Sequence, residues 1–239
     1  MRQSNKYIII YAAVLTIVCG GLLAMASEGL KERQAFNVAL EKKQNILATV
    51  MDLQEGQDAT AIYADRVSEF VVDFEGNVKD GVSTKDINLA VEYKKAPKDR
   101  LLPVYEFKNE NDPEKIDYVI LPVYGFGLWN DIWGYVSLES DMSTIRGIKF
   151  DHKGETPGLG ARISTDEEIQ TRYEGKTIYE GDKLVSVTMM KGEGNDYSDD
   201  PHKVDGMSGA TLTAKGVNNM LRDYFLSYEK YLKKKKVNS

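Results

Sequence analysis

The sequence predicts an α+β fold, with an N-terminal transmembrane helix followed by a mixed, mostly antiparallel sheet domain with flanking helices. Three observations lead to this fold class: an uncharged apolar run at residues 7–26, segments rich in Val, Ile, Tyr and Phe after residue 101, and an amphipathic segment near the C-terminus. We divide the chain into a membrane anchor (1–27), a helical stalk with the start of an extracytoplasmic domain (28–100) and the main domain (101–239).

The composition excludes several classes of protein. The 239 residues carry a formal net charge of −6, whereas nucleic-acid binders usually present a basic face, so we expect no nucleic-acid partner. Cys19 is the single cysteine and His152 and His202 are the two histidines. The sequence therefore predicts no internal disulfide and no cysteine- or histidine-based metal site.

Residues 7–26 form the first predicted element, a membrane-spanning helix. They contain no charged side chain and would cover roughly 30 Å as a helix, which is the thickness of a bilayer core. Arg2 and Lys6 precede the run, and the positive-inside rule then puts the N-terminus in the cytoplasm and residues 28–239 outside. The alternative is a signal peptide cleaved near "AMAS", but the apolar run is longer than a usual signal-peptide core.

The next elements are a helix and a set of strands. Residues 28–53 are predicted to continue the helix, because apolar residues recur at helical spacing: Phe36, Leu40, Leu47, Val50 and Met51. Residues 101–107, 115–126, 133–140 and 144–150 are predicted to be strands of the sheet. Residues 176–190 are typical of a hairpin that turns at residues 180–183.

A Gly/Asp loop and a long helix complete the main domain. Residues 191–203 are predicted to be a solvated loop; a calcium site is the alternative, although the spacing matches no EF-hand. Lys233–Lys236 follow the helix, where cations favour the negative end of its dipole, and contact with anionic lipid is the alternative role. One face of the helix is apolar: Val217, Met220, Leu221, Tyr224, Phe225, Tyr228, Tyr231 and Leu232.

The segment "VDGMSGATLT", residues 204–213, stands where this helix should begin. Thr211 or Thr213 could serve as an ordinary N-cap. A cap does not explain the run of small residues Ser208, Gly209 and Ala210, which would let a ligand approach the backbone closely. A helix N-terminus suits a phosphate, and neither a Walker pattern nor a GxGxxG motif is present.

This segment resembles the flavinylation motif D-G-x-S/T-G-A-T of the FMN-binding subunits of bacterial respiratory complexes. In that family a flavin transferase joins the phosphate of FMN to the threonine hydroxyl through a phosphoester bond. The resemblance implies that Thr211 is the covalent acceptor, with Thr213 as the alternative. It also implies cofactor contacts from the rest of the motif: Asp205, Ser208, Gly209 and Ala210.

Two further segments strengthen the resemblance. Residues 155–160 read E-T-P-G-L-G; alone they would indicate a turn, but with S-G-A-T about 50 residues later they match the family. They add five candidate cofactor-binding residues: Glu155, Thr156, Gly158, Leu159 and Gly160. In "VYGFGLWND", Trp129 would clamp the flavin ring with Leu159 or else belong to the core. Lys215 or Arg162 would supply positive charge near the phosphate.

The resemblance covers nearly the whole chain, and it is strongest to the C subunit of the Na+-translocating NADH:quinone reductase. The alternatives are the related G subunit of the Rnf complex and a non-redox, membrane-anchored binding module. The resemblance implies an electron-carrying subunit with covalent FMN and no catalytic acid or base. It implies a single-pass protein of the bacterial inner membrane with its main domain in the periplasm. Its partners would be the other reductase subunits and a flavin transferase, and sodium would pass through multi-span partners.

Overall fold

The computed structural model describes residues 4–54 and 56–237 of the chain. The chain divides between Lys42 and Lys43 into two compact units. The first helix, α1 (Asn5–Leu47), contains all of the apolar run and is long and apolar enough to cross a membrane. The predicted order, an N-terminal apolar helix followed by a sheet domain, is confirmed. The predicted domain boundaries at 27/28 and 100/101 stay predictions.

The helix ends earlier than residue 53, where the sequence pattern had put its end. α1 stops at Leu47, and its last two residues, Ile46 and Leu47, are buried. The chain then turns, and the carbonyl of Thr49 accepts a hydrogen bond from the Ser137 hydroxyl at 2.7 Å. Val50 is buried as well, so the apolar residues after 47 pack into the second unit without being helical.

The second unit is built on a five-stranded antiparallel meander in the order β1-β2-β3-β4-β5. Its strands are β1 (Val67–Val72), β2 (Leu102–Lys108), β3 (Ile116–Phe126), β4 (Asp131–Glu139) and β5 (Ile145–His152). The last four confirm the predicted strands. The edge strand β1 was not predicted, because its short segment shows no clear alternation of apolar and polar residues.

Short helical segments connect these elements. They are α2 (Ala59–Arg66), α3 (Leu89–Tyr93), a 3₁₀ turn (Pro97–Asp99), α4 (Arg162–Thr165) and α5 (Glu167–Thr171). Asp58 caps α2 and Asn88 caps α3 through side-chain oxygens that accept backbone N–H groups. The segment that resembles E-T-P-G-L-G therefore lies between the end of β5 and the start of α4.

The long C-terminal helix, α6 (Thr211–Val237), packs against the sheet. Every residue of its predicted apolar face is buried. The Tyr228 hydroxyl donates to the Pro103 carbonyl on β2 at 2.7 Å, which fixes the middle of the helix. Nearer its start, Gly216 lies against the Phe126 carbonyl at the end of β3. The N-terminus of α6 thus lies beside the loop that joins β3 to β4.

Two small ladders position the segment in front of α6. β6 (Tyr179–Glu180) and β7 (Lys183–Leu184) form the predicted hairpin. The hairpin extends no further, because β8 (Thr188–Met189) pairs in parallel with β9 (Lys203–Val204). This parallel ladder closes the base of the 191–203 loop, so residues 190–194 lie next to the residues that follow β9.

The lysines at the end of α6 are paired with the domain. Lys233 lies 2.6 Å from Glu229 and Lys235 lies 2.6 Å from Glu106 on β2. Lys234 donates to the Asn77 side chain at 2.7 Å. These contacts favour a role in ending and fastening the helix over the alternative of lipid binding.

Candidate functional site

The S-G-A-T segment makes a tight turn directly into α6. The Ala210 N–H donates to the Met207 carbonyl at 3.3 Å, and Gly209 has a left-handed φ of 74°. The Ala214 N–H then donates to the Ala210 carbonyl at 2.9 Å, so helical bonding begins at once. Since Thr211 is already the first helical residue, the predicted N-cap role of Thr211 or Thr213 is wrong, and Ala210 precedes the helix instead.

The start of α6 presents free backbone donors. No described residue accepts a hydrogen bond from the N–H groups of Thr211, Leu212 or Thr213. Free N–H groups at a helix start, together with the positive end of the helix dipole, favour a bound anion. The start of α6 is therefore electrostatically suited to a phosphate.

The two threonines of this segment have different surroundings. Thr213 is 1% exposed, and its hydroxyl donates to Glu155 Oε2 at 2.6 Å. Thr211 is exposed, and its hydroxyl makes no hydrogen bond to a described residue. The Thr211 hydroxyl is the one that another molecule can reach.

Glu155 joins three parts of the chain. Its Oε1 accepts the backbone N–H groups of Trp129 at 2.9 Å and Asn130 at 3.3 Å, while Oε2 accepts from Thr213. Burial raises the pKa of Glu155, but hydrogen bonds from Thr213, Trp129, Asn130 and the Leu128 N–H outweigh it and hold the pKa below its usual value. The buried carboxylate is ionised and braces the site.

Two glycines make room for this carboxylate. A Cβ on Gly127 would lie 2.5 Å from Glu155 Oε1. A Cβ on Gly160 would lie 2.7 Å from Glu155 Oε2 and would also meet the Thr213 hydroxyl. Gly158 has a left-handed φ of 73°, which the turn of residues 156–160 requires. Gly127 and Gly160 thus let the β3–β4 loop, the turn of residues 156–160 and α6 come together around Glu155.

Trp129 lies on the surface, with 65% of the residue exposed. Its indole Nε1 donates to the Thr156 hydroxyl at 3.2 Å. The alternative of a core tryptophan is therefore wrong, because the residue sits in the loop between two strands and not on a strand face. Leu159 is 40% exposed and packs on Gly209, where a Cβ would lie 2.7 Å from its Cδ2. The three resembling segments meet here.

Large apolar side chains are exposed around the start of α6. They come from the end of β3, the β3–β4 loop, the turn before α4 and the helix itself: Phe126, Leu128, Trp129, Leu159 and Leu212. Exposed apolar side chains from several segments commonly mark a binding surface. An aromatic ring held near Thr211 would find apolar partners there.

Asp205 is turned toward the protein. Its carboxylate accepts the Gly194 N–H at 2.6 Å and the Asn195 side-chain amide at 3.2 Å. A Cβ on the next residue, Gly206, would collide with backbone carbonyls of the same loop. Asp205 and Gly206 therefore fasten the acceptor segment to residues 190–195.

The two predicted cations differ in availability. Arg162 is bound to Glu193 at 2.7 Å and to Asp166 at 2.8 Å. Lys215 is exposed on the first turn of α6 and makes no ion pair with a described residue. Arg162 is thus already neutralised within the described part of the chain, and Lys215 is not.

Two charged residues at this site, Glu193 and Arg172, were not predicted from the sequence. Glu193 Oε2 accepts the Ser208 N–H at 3.0 Å, and Arg172 donates to the Gly206 carbonyl at 2.7 Å. Both come from segments that matched no motif. The glycines on either side of Glu193 were the available signal, since both have left-handed φ values that let the loop turn toward Ser208.

The loop carboxylates are used within the loop. Asp196 accepts the Ser198 N–H at 2.9 Å, and Asp200 accepts the His202 N–H at 3.0 Å. Among the described residues, no group of three or more His, Cys, Asp or Glu side chains could hold a metal ion. Nothing in the described part of the loop supports the calcium alternative.

Comparisons with known proteins identify the domain. The FMN-binding domain family matches residues 127–225, which include Trp129, the E-T-P-G-L-G segment and the S-G-A-T segment. The C subunit of the Na+-translocating NADH-quinone reductase from Pseudomonas aeruginosa is 32% identical over 92% of this chain and 91% of its own length. The C subunit from Neisseria meningitidis serogroup A is also 32% identical, over 98% of this chain and 96% of its own.

Solved structures give the same result. The crystal structure of the C subunit from Parabacteroides distasonis matches with a TM-score of 0.73 and 31% identity, covering 85% of this chain and 96% of that one. NqrC from Shewanella oneidensis matches with a TM-score of 0.70 and 27% identity, covering 82% and 97%. By its sequence, its fold and its FMN-binding domain, the chain belongs to the NqrC family, the C subunits of the Na+-translocating NADH-quinone reductase.

Proposed function

We propose that this chain carries electrons as the C subunit of a Na+-translocating NADH-quinone reductase, with FMN joined to Thr211 by a phosphoester bond. The observation that carries the proposal is the contrast between two neighbouring threonines. The Thr211 hydroxyl is exposed and free of described partners, whereas Thr213 is buried and bonded to Glu155.

The residues around Thr211 fit a flavin phosphate. The free N–H groups at the start of α6 would stabilise its negative charge, and the exposed Lys215 lies one helical turn further on. Ser208 and Gly209 are small and exposed like Thr211, so they would let a phosphate approach the backbone of the turn. Asp205 would contribute indirectly, by fastening this turn to the neighbouring loop.

The remaining candidate residues would hold the ring. FMN supplies the electron-transfer chemistry when bound, and the protein supplies orientation and field. Trp129 and Leu159 would contact the ring through their exposed apolar surfaces. Glu155 would fix the Trp129 loop against α6, while Thr156, Gly158 and Gly160 shape the turn that presents Leu159. No acid or base from the chain is required.

The proposal includes a place in the cell. α1 would anchor the chain in the bacterial inner membrane through residues 7–26, with the N-terminus in the cytoplasm and the main domain in the periplasm. A covalent tether suits that location, because a dissociated flavin would be lost there. The partners would be the other reductase subunits, which would carry sodium, and a flavin transferase for maturation.

Flavin fluorescence in a denaturing gel tests the attachment. The full chain is co-expressed with a flavin transferase, as wild type, Thr211→Ala, Thr213→Ser and Thr213→Ala. We expect fluorescent bands for wild type and Thr213→Ser, since serine keeps the hydrogen bond to Glu155, and a dark band for Thr211→Ala. Mass spectrometry should find FMN less water on the peptide that contains Thr211.

A dark wild-type band would overturn the redox proposal and favour the non-redox module. A band that survives Thr211→Ala but vanishes in Thr213→Ala would show that Thr213 is the acceptor. Purification of the native complex from membranes tests the partners, and recovery of Rnf subunits in place of reductase subunits would favour the alternative complex.

A further inference from the structure

Glu193 is a charged group that the proposed flavin site does not use. It lies between Gly192 and Gly194, and both glycines have left-handed φ values, of 92° and 89°. Its Oε2 accepts the Ser208 N–H at 3.0 Å, three residues before Thr211. The same carboxylate binds Arg162 Nη1 at 3.0 Å and Nη2 at 2.7 Å. Glu193 therefore lies against the acceptor segment and holds one of the predicted phosphate cations.

The surroundings of Glu193 already carry more negative than positive charge. Two guanidinium groups face four carboxylates: Arg162 and Arg172 with Asp166, Glu168, Glu193 and Asp205. A phosphate joined to Thr211 would add a negative charge a few residues from Ser208. Because Glu193 binds the N–H of Ser208 in this same turn, the two like charges would repel each other, and the repulsion is strongest where water is partly excluded.

We propose that Glu193 is a placeholder anion, which holds the Ser208 N–H and Arg162 in the flavin-free chain and releases both when a flavin phosphate is joined to Thr211. This inference rests on the proposed attachment of FMN. Glu193 is then a positioning residue: before attachment it holds the S-G-A-T turn in shape, and after attachment its loop is free to move.

The covalent step changes the charge at the Thr211 side chain. The Thr211 oxygen forms a bond to the FMN phosphorus while the bond from that phosphorus to its leaving group breaks. With FAD as the donor the leaving group is AMP, and the hydroxyl proton of Thr211 passes to solvent. A neutral hydroxyl is thereby replaced by a phosphodiester with one negative charge. Arg162 can then pair with the diester in place of Glu193.

Hydrogen exchange measured by mass spectrometry on the full chain in detergent tests the inference. The chain is prepared flavin-free, by expression without the transferase, and flavin-bearing, by co-expression. Intact mass on each sample reports the attachment independently of the exchange. In the flavin-bearing wild type we expect residues 191–195 to exchange about tenfold faster or more, because the loop released at Glu193 no longer holds the Gly194 N–H on the Asp205 carboxylate. The Ser208 amide, which loses its bond to Glu193 Oε2, should exchange faster as well.

Variants at two glutamates provide the control. Glu193→Gln should speed exchange of residues 191–195 already in the flavin-free chain, and flavin attachment should then change it little. Glu114→Gln, at an exposed residue between β2 and β3 that lies outside this cluster, should exchange like wild type in both states. Unchanged exchange in β3 and β4 would show that each variant is folded.

Two failures are distinguishable. A wild-type chain that gains no flavin mass overturns the proposed function, and this inference with it. A chain that gains the flavin but shows the same exchange at residues 191–195 in both states overturns the placeholder role alone. The comparison of flavin-free with flavin-bearing wild type needs no variant. It therefore decides the question even if Glu193→Gln folds poorly.

Discussion

At the residue scale, the buried carboxylate of Glu155 links three segments around the proposed flavin site. Glu155 binds two backbone N–H groups of the β3–β4 loop and the Thr213 hydroxyl of α6. Without it, these donors would be left without their partner and a small cavity would remain. Because unpaired buried polar groups are costly, Glu155 links the stability of the domain to the geometry around Thr211.

Glu155→Ala should lower the free energy of unfolding by about 2–4 kcal/mol, since it leaves the Thr213 hydroxyl and two N–H groups unpaired. Glu155→Gln should cost about half as much, because its amide oxygen still accepts the N–H groups. Urea unfolding followed by tryptophan fluorescence in detergent measures both. Glu168→Gln, which breaks an exposed ion pair, should change stability by less than about 0.5 kcal/mol. An equally small effect of Glu155→Ala would contradict the bracing role.

The charge of Glu193 gives a pH dependence. Hydrogen bonds from Arg162, and next the Ser208 N–H, lower the pKa of Glu193 from 4.5 to about 2. A carboxyl group with a lowered pKa stabilises the folded state above its unfolded pKa, and this contribution is lost as the pH falls through the folded pKa. In the flavin-free chain, the difference in Tm between wild type and Glu193→Gln should be constant from about pH 7 to pH 5 and vanish near about pH 2. A difference that persists unchanged at the lowest pH would contradict this ion pairing.

At the residue scale, the motif led us to propose Thr211 as the acceptor, but it gave no reason that Thr213 differs from it. That reason is the bond from Thr213 to Glu155, which joins residues 58 positions apart. Glu193 was not predicted for the same reason: its partners Ser208 and Arg162 are distant from it in sequence. Periodicity and motifs report local structure, whereas these contacts depend on how the segments pack.

At the scale of elements, the start of α6 is positioned by its close approach to β3. A Cβ on Gly216 would collide with the Phe126 carbonyl and would lie 3.0 Å from the Cα of Gly127. The helix can therefore lie directly on the β3–β4 loop, which carries Trp129. Asn218, half a turn further, accepts from the Met189 N–H and donates to the Met189 carbonyl, both at 2.8 Å, and so fastens β8 to the same helix.

Gly216→Ala should destabilise the domain by about 1–3 kcal/mol, because the added methyl group overpacks the helix–strand contact. In an exposed helix the same change would be stabilising by about 1 kcal/mol. Asn219→Ala is the matched control: the residue is exposed on α6, so this change should be neutral or stabilising by up to about 0.5 kcal/mol. Thermal unfolding followed by circular dichroism measures both, and a stabilised Gly216→Ala would show that the helix does not need this close approach.

The elements that the sequence predicted correctly are those with a strong repeating pattern. The apolar face of α6 and the strands β2–β5 combine clear periodicity with adequate length. β1 and β8 are short, and their pairing depends on partners elsewhere in the chain. The end of α1 was placed too late because Val50 and Met51 continue the helical pattern while the backbone turns at Thr49 to meet Ser137.

At the scale of the whole molecule, retention of the N-terminal helix decides whether the domain stays at the membrane. A retained anchor predicts that the purified chain keeps residues 7–26 by intact mass and resists extraction of membranes with alkaline carbonate. Cleavage near residue 26 would instead give a shorter chain that is released. The Glu168→Gln chain should behave like wild type, because that residue lies far along the sequence from the apolar run.

The predicted orientation of the chain in the membrane depends on very few charged residues, so it can be tested by changing them. Arg2 and Lys6 precede the apolar run, while Glu28, Lys31, Glu32 and Arg33 follow it in near balance. Alkaline phosphatase, which is active only outside the cytoplasm, should therefore be active when fused after Ser239. A variant with both Arg2→Glu and Lys6→Glu removes the positive charges before the helix and should lower that activity several-fold, as part of the population inverts. A silent fusion to the wild-type chain would put the FMN-binding domain in the cytoplasm, where a covalent tether would no longer be needed to retain the flavin.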